Sequence, residues 1–199
     1  MKNKALMKNS SETLQEIPDT IRYAGFGKRV KAFAFDYLPI AAYVMILFGL
    51  TVGATRVMDL LGRPLRWPES PLLSDLIAFI TLVLPVILYF SLQESSTRQA
   101  TWGKRKTGLL VINSQQGRLT RRQAFVRSLI KFLPWQIAHT SIFHWEGWPM
   151  APAEPTPMVI VGFVLVWVLV GIYIASALIS KKHRTPYDWV SGSYEIEVD

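Results

Sequence analysis

The feature that most limits what this chain can fold into is the run from Met158 to Ser180, 23 residues without one charged side chain. A helix needs about 20 apolar residues to cross the roughly 30 Å hydrocarbon core of a bilayer, so this run alone predicts a membrane span. A second run, Ala32 to Ala54, is 23 residues long and holds a single charge, Asp36. Of the 199 residues half are apolar and only 18% charged, against about a quarter charged in an ordinary soluble domain. That composition excludes a disordered chain and argues against a soluble globular one.

Sidedness follows from where the cations lie. Met1 to Lys31 carries seven Lys/Arg against three acids, and Gln93 to Gln123 carries seven against one, Glu94. Glu146 to Pro157 has no Lys or Arg, two Glu and four Pro, while Lys181, Lys182 and Arg184 follow the last apolar run. By the positive-inside rule both termini and the basic loop are cytoplasmic, and the Pro-rich loop is outside. Spans at 32–54 and 72–92 go out and return. For the span at 158–180 to leave its basic tail inside, the segment 124–145 has to cross as well. That third crossing contains Arg127, Lys131, Pro134, Gln136, His139 and His144; the two cations are expected to sit in the cytoplasmic interface with their heads in water. Residues 1–22 read as a cytoplasmic tail. Residues 1–19 have no apolar core of signal-peptide length, so the first span is expected to be its own insertion signal.

The cytoplasmic loop has a local pattern of its own. Leu109 to Asn113, LLVIN, has strand composition, and Ser114 to Gly117, SQQG, supplies a turn. Thr120 and Gln123 form a capping box, starting a helix with three arginines, Arg121, Arg122 and Arg127, in its first two turns. Cations at a helix N-terminus oppose the helix dipole, and anionic headgroups of the lipid bilayer are the partner that would favour them there. No helix-turn-helix or aromatic-interleaved pattern accompanies these charges, so no nucleic acid is expected. The fold class is therefore an all-α integral membrane protein: a four-helix transmembrane bundle with a short cytoplasmic β-hairpin-like segment and a basic amphipathic helix start, the membrane domain covering 23–199.

Chemistry in such a chain rests on its intramembrane ionisable groups, which face a bundle interior or a cavity. Asp36 lies near the start of the first span, seven residues after Arg29. Two turns separate the pair by about 10 Å along one helix face, too far for a direct contact. Arg29 is instead expected to meet an acid on another segment, and Asp188, after the last span, lies at the same depth. Asp75 reads as a solvated residue at the outer end of its span. There is no nucleophile elbow, zinc-binding HExxH, phosphate loop or dinucleotide fingerprint, so no enzyme is expected. With no cysteine and His139 and His144 five apart, no metal site or cofactor is expected either.

Three stretches carry a resemblance. AGFGKRVKAFAFD at Ala24 to Asp36, WGKRKTGLLVIN at Trp102 to Asn113 running on to AFVRS, and RTPYDWVSGSYEI at Arg184 to Ile196 resemble, in order, the motifs of the RDD family of bacterial multi-pass membrane proteins. The resemblance covers about residues 20–197. It implies that Arg29, Asp36 and Asp188 are the name-giving residues, with Gly103, Lys104, Arg105, Gly108 and Arg127 in the supporting motif. Ser193 stands where the closing motif usually has Thr, and Pro186–Tyr187 replaces a commoner Leu-His. The resemblance implies an inner-membrane protein and, for some members, ion or proton-coupled transport.

Two readings remain open. In one, Asp36 binds a proton or monovalent cation and Arg29 and Asp188 gate it, which would require oligomerisation, since four spans without an internal repeat leave little room for alternating access. In the other, the chain is a non-transporting accessory or scaffold protein, the three residues are a structural clamp, and the basic loop docks a membrane partner protein or anionic lipid.

Overall fold

The computed structural model describes residues 21–66, 68–148 and 151–198; the tail reading for 1–22 lies almost wholly outside them. Among the described residues three helical stretches are long and apolar enough to cross a membrane: Phe26–Leu60, Pro71–Glu94 and Pro157–Ile179. The first is one helix, α1. The second is α2 (Pro71–Ala78), a π-helical turn over Phe79–Val83, and α3 (Leu84–Glu94). A five-residue helix, α4 (Trp102–Lys106), leads into strand β1 (Leu109–Asn113). Then come α5 (Arg121–Lys131) and α6 (Leu133–Phe143), the third long helix α7 (Pro157–Ile179), a short α8 (Pro186–Ser191) and strand β2 (Ser193–Glu197).

The segment expected as a third continuous span is broken. α5 and α6 meet at Phe132, two residues before Pro134, and 11 residues of α6 at 1.5 Å each reach about 16 Å, half a bilayer core. The cause is local: proline has no N–H for the carbonyl four residues back and its ring crowds that turn. That carbonyl, of Ile130, accepts instead from the Tyr173 hydroxyl on α7 at 2.6 Å. The same device recurs on the second span, where Pro85 has no N–H for Thr81 and the Tyr43 hydroxyl of α1 donates to the Thr81 carbonyl. In hydrocarbon no water can satisfy such a carbonyl, so a neighbouring helix must.

The start of α1 and the last strand gather at one end of the molecule. β1 pairs antiparallel with β2, Leu109 opposite Glu197 and Asn113 opposite Ser193, and Tyr23 bridges Ile196 beside them. The β-hairpin-like segment expected in the loop is thus not a hairpin: β1 finds its partner at the C-terminus. The turn after β1 does form, with Asn113 Oδ1 accepting from the amides of Gln115 and Gly117 at 2.9 Å, and the Thr120–Gln123 capping box opens α5. Because α1 begins, α3 ends and α7 ends at this pole, α7 must begin at the other. The chain between β1 and α7 covers that distance in two pieces: α5 ends with Ile130 beside Tyr173, and α6 runs antiparallel to α7 to bring the following Trp145 against Phe163, 6.2 Å between ring centres.

Two glycines fix the pole. A Cβ on Gly103 would overlap the Ala32 carbonyl and the Asp36 amide, so only glycine lets α4 lie against α1. Gly108 enters β1 with φ +65°, and a Cβ there would meet Val198 O at 2.7 Å, a backbone shape that glycine adopts without strain. Away from the pole, Asp75 is not simply solvated: it accepts from Gln136 Nε2 and Thr140 Oγ1, both at 2.9 Å, joining α2 to α6.

Candidate functional site

Six charged side chains, one from each of six elements, are buried together where the helices meet the two strands. The cations are Arg29 of α1, Lys104 of α4 and Arg127 of α5; the anions are Glu94 of α3, Asp188 of α8 and Glu195 of β2. Arg127 is the hub, 1% exposed. Its Nη1 meets Glu94 Oε2 at 2.6 Å, and its Nη2 meets Asp188 Oδ1 at 2.8 Å and Glu195 Oε2 at 3.2 Å. Arg29 Nη1 pairs with Asp188 Oδ2 at 2.8 Å, and Lys104 Nζ bridges Glu94 Oε1 at 2.8 Å and Glu195 Oε1 at 3.0 Å. Three positive and three negative groups leave no net charge, the condition under which ions can be buried without a prohibitive loss of hydration.

Each side chain is aimed by the local structure that carries it. Asp188 is the third residue of α8, and its Oδ2 also accepts from the Thr185 amide and hydroxyl at 3.1 and 2.8 Å in a capping box. Glu195 and Ser193 alternate inward along β2, as the period of two requires. Ser193 keeps the hydroxyl in use, accepting from Arg127 Nε at 3.0 Å and donating to Asp188 Oδ1 at 3.2 Å. Tyr187 lies beneath the Arg127 guanidinium, 5.1 Å from its carbon. Burial pushes the Asp188 carboxyl up, but Arg127, Arg29 and the hydrogen bonds from Arg29 and Thr185 outweigh it and hold the group well below the usual carboxylate range. Glu195 behaves alike: burial opposes ionisation, while Lys104, Arg29 and Arg127 bring it down to about 2.

Asp36 stands apart from this network. Its carboxylate is fully buried and accepts from Tyr89 Oη at 2.9 Å, the Gly103 amide at 2.7 Å and Thr101 Oγ1 at 2.5 Å. It fastens the first turn of α4 to α1 and α3, supplying an acceptor where a helix start exposes free amides. The structure brings together Arg29, Asp188, Lys104 and Arg127, and places Gly103 and Gly108 at close approaches beside them. Arg105 is exposed and bonds Gln93 Oε1 and the Ala100 carbonyl outside the network. Arg127 and Lys131 do not extend to water as the sequence suggested: Arg127 is the buried hub, and Lys131 Nζ rests 3.9 Å from the centre of the Phe90 ring.

Glu94 and Glu195 were missed from the sequence. The signal for Glu94 was its place as the one acid in the basic segment, directly after an apolar run. For Glu195 it was a polar residue sharing the inward register of Ser193. With this arrangement in view, comparison with known families gives a match to the RDD family over residues 23–192. The chain belongs to the RDD family. No curated protein and no solved structure matches it. In this RDD protein Arg29 and Asp188 form a buried pair, while Asp36 caps a neighbouring helix.

Proposed function

We propose that this RDD protein is a non-enzymatic accessory or scaffold protein of a bacterial inner membrane, in which Arg29, Asp36 and Asp188 are a structural clamp. One observation carries the reading: every one of the three carboxylate or guanidinium groups is engaged with neighbouring elements, and the six-member network joins α1 and α3 to α4, α5, α8 and β2. A proton or cation carrier must let go of its partners once per cycle, and releasing Asp36 would free three donors at once. The clamp shapes the pole that bears the basic loop, where Arg121 and Arg122 are exposed to meet anionic headgroups, a second copy or a membrane partner protein.

The carrier reading keeps one favourable observation, that Asp36 lines a cavity of about 360 Å³ between α1 and α7. Purified protein in proteoliposomes under a pH gradient separates the two. The clamp reading expects no flux of protons or monovalent cations from the wild type, and a lowered melting temperature for Asp36→Asn. Flux in the wild type that vanishes in a well-folded Asp36→Asn variant overturns it. Sidedness is tested by single-cysteine labelling, since the chain has no cysteine: a cysteine at Ala153 should react from outside, and one at Gln115 from the cytoplasm.

A further inference from the structure

Beside the charged network runs a groove with two chemically different ends. One end is a cavity of about 360 Å³ whose lining is mostly apolar but includes the charged Arg29, Lys104, Lys131, Asp36 and Glu195. The other end is an apolar slot of about 260 Å³ between α1, the second span and α6, with Phe33, Phe132 and Trp135 lining both. On α1 the slot follows Phe33, Tyr37, Ile40, Ala41, Val44 and Met45, the i, i+4, i+7 stripe of one helix face. From Phe33 to Met45 is about 18 Å at 1.5 Å per residue, slightly more than one leaflet of a roughly 30 Å core.

The charges at the charged end do not balance. Asp36 and Glu195 are already held by three hydrogen-bond donors and by cations respectively. Lys131 Nζ has no hydrogen bond or ion pair among the described residues; it faces the rings of Phe90, Phe33 and Phe132 at 3.9, 5.2 and 5.6 Å. Arg29 is 8% exposed, and its buried Nη2 has no hydrogen-bond partner among the described residues. Two cationic groups with spare donors, at the headgroup end of an apolar slot one leaflet long, describe the complement of a single kind of molecule.

We propose that this groove binds one anionic membrane phospholipid, its phosphate at Lys131 and Arg29 and an acyl chain along the Phe33–Met45 face. The phosphate supplies acceptor oxygens to Lys131 Nζ and to the one spare nitrogen of Arg29, whose Nη1 and Nε are already bonded to Asp188 and the Ala24 carbonyl, and the chain covers apolar surface that neighbouring helices leave open. This site lies inside the helix assembly and is separate from the exposed arginines of the loop. It stands whether the protein is a scaffold or a carrier.

Native mass spectrometry of the full chain extracted from nanodiscs containing equal amounts of phosphatidylglycerol and phosphatidylcholine reads the site directly. One phosphatidylglycerol should be retained in preference to phosphatidylcholine. Lys131→Gln should weaken that retention about fivefold, the factor for one lysine at a headgroup, with the melting temperature in lipid-free detergent unchanged. Ala41→Trp, which fills the slot without touching the cations, should reduce it as well, and serves if Lys131→Gln fails to fold. Equal retention of both lipids by the wild type overturns the proposal. So does protection of the wild type against heat by inorganic phosphate as fully as by phosphatidylglycerol, which would make the site one for a free anion. Unchanged phosphatidylglycerol retention in folded Ala41→Trp would remove the acyl slot from it.

Discussion

Along α7, Val161, Trp167 and Ile179 are 64%, 73% and 82% exposed, whereas at the pole six charged side chains from six elements are nearly or wholly buried. In water both halves of that pattern would be destabilising. In a bilayer the apolar helix faces are solvated by lipid, and no hydrophobic effect draws the helices together. What holds them is close packing, as where Phe90 and Phe132 meet Val83 and Ile87, together with polar contacts that are specific. The two regions therefore divide the work: the long helices keep the chain in the membrane, and the charged pole decides how they are arranged.

The largest predicted effect tests that division at its hub. Arg127→Met leaves Glu94, Asp188 and Glu195 facing one another with the cation that touches all three removed. Removing one partner from a buried ionic cluster costs about 3–5 kcal/mol, so little monodisperse protein should survive detergent extraction. Val164→Ala, at an exposed position of α7, should lower the melting temperature only slightly. Equal behaviour of the two variants in size-exclusion chromatography would break the comparison.

A finer cut uses the Arg29–Asp188 pair. Arg29→Ala and Asp188→Ala each strand a buried charge, and the double variant strands neither against the other, so its loss should fall short of the sum. Coupling of about 0.5–3 kcal/mol is usual for groups in contact. Strict additivity in thermal unfolding would mean that the 2.8 Å contact contributes nothing.

The pole is where the sequence was least legible, and the reason is physical. Apolar runs announce spans because their signal is local, and the three long helical stretches fall where the spans at 32–54, 72–92 and 158–180 were expected. The capping box at Thr120 and the strand at Leu109 were legible for the same reason. The partner of β1, by contrast, lies at the far end of the chain, and nothing in LLVIN names it. Glu94 and Glu195 look like ordinary interface and strand residues until Arg127 is seen between them. The break at Pro134 was visible as a proline, yet parity of charge demanded a crossing, and that weight hid the division into α5 and α6. Motif resemblance marked Arg29, Asp36 and Asp188 as a set; only geometry separates a salt-bridged pair from a helix cap.

Acid should weaken the pole and spare the long helices. The Asp188 and Glu195 carboxyls are depressed in the folded protein, so their contribution is fully present above the unfolded carboxyl range of about 3.9–4.3 and is lost as pH falls through that range towards the folded values. Melting temperature should be level from pH 7 to about 5.5 and decline below about 4.5. Glu195→Gln should start lower at pH 7 and decline less steeply. Far-ultraviolet circular dichroism should show helix retained in detergent after the pole has loosened; loss of all helix in the same step would join the two regions into one cooperative unit.

The smallest effect concerns the polar contact that ties α7 to the proline break between α5 and α6. Pro134 has no N–H for the Ile130 carbonyl, and the Tyr173 hydroxyl donates to it at 2.6 Å. Tyr173→Phe removes that donor and leaves a carbonyl without its partner in a region poor in water, a loss of about 1–2 kcal/mol. Pro134→Ala returns an N–H that can reach Ile130 within the helix. If the hydroxyl serves to replace the missing amide, Tyr173→Phe should be costly in the wild-type background and nearly neutral in Pro134→Ala. Equal losses in both backgrounds, measured by thermal unfolding in one detergent, would show that the tyrosine packs against α6 for its ring and that the proline break is held by something else.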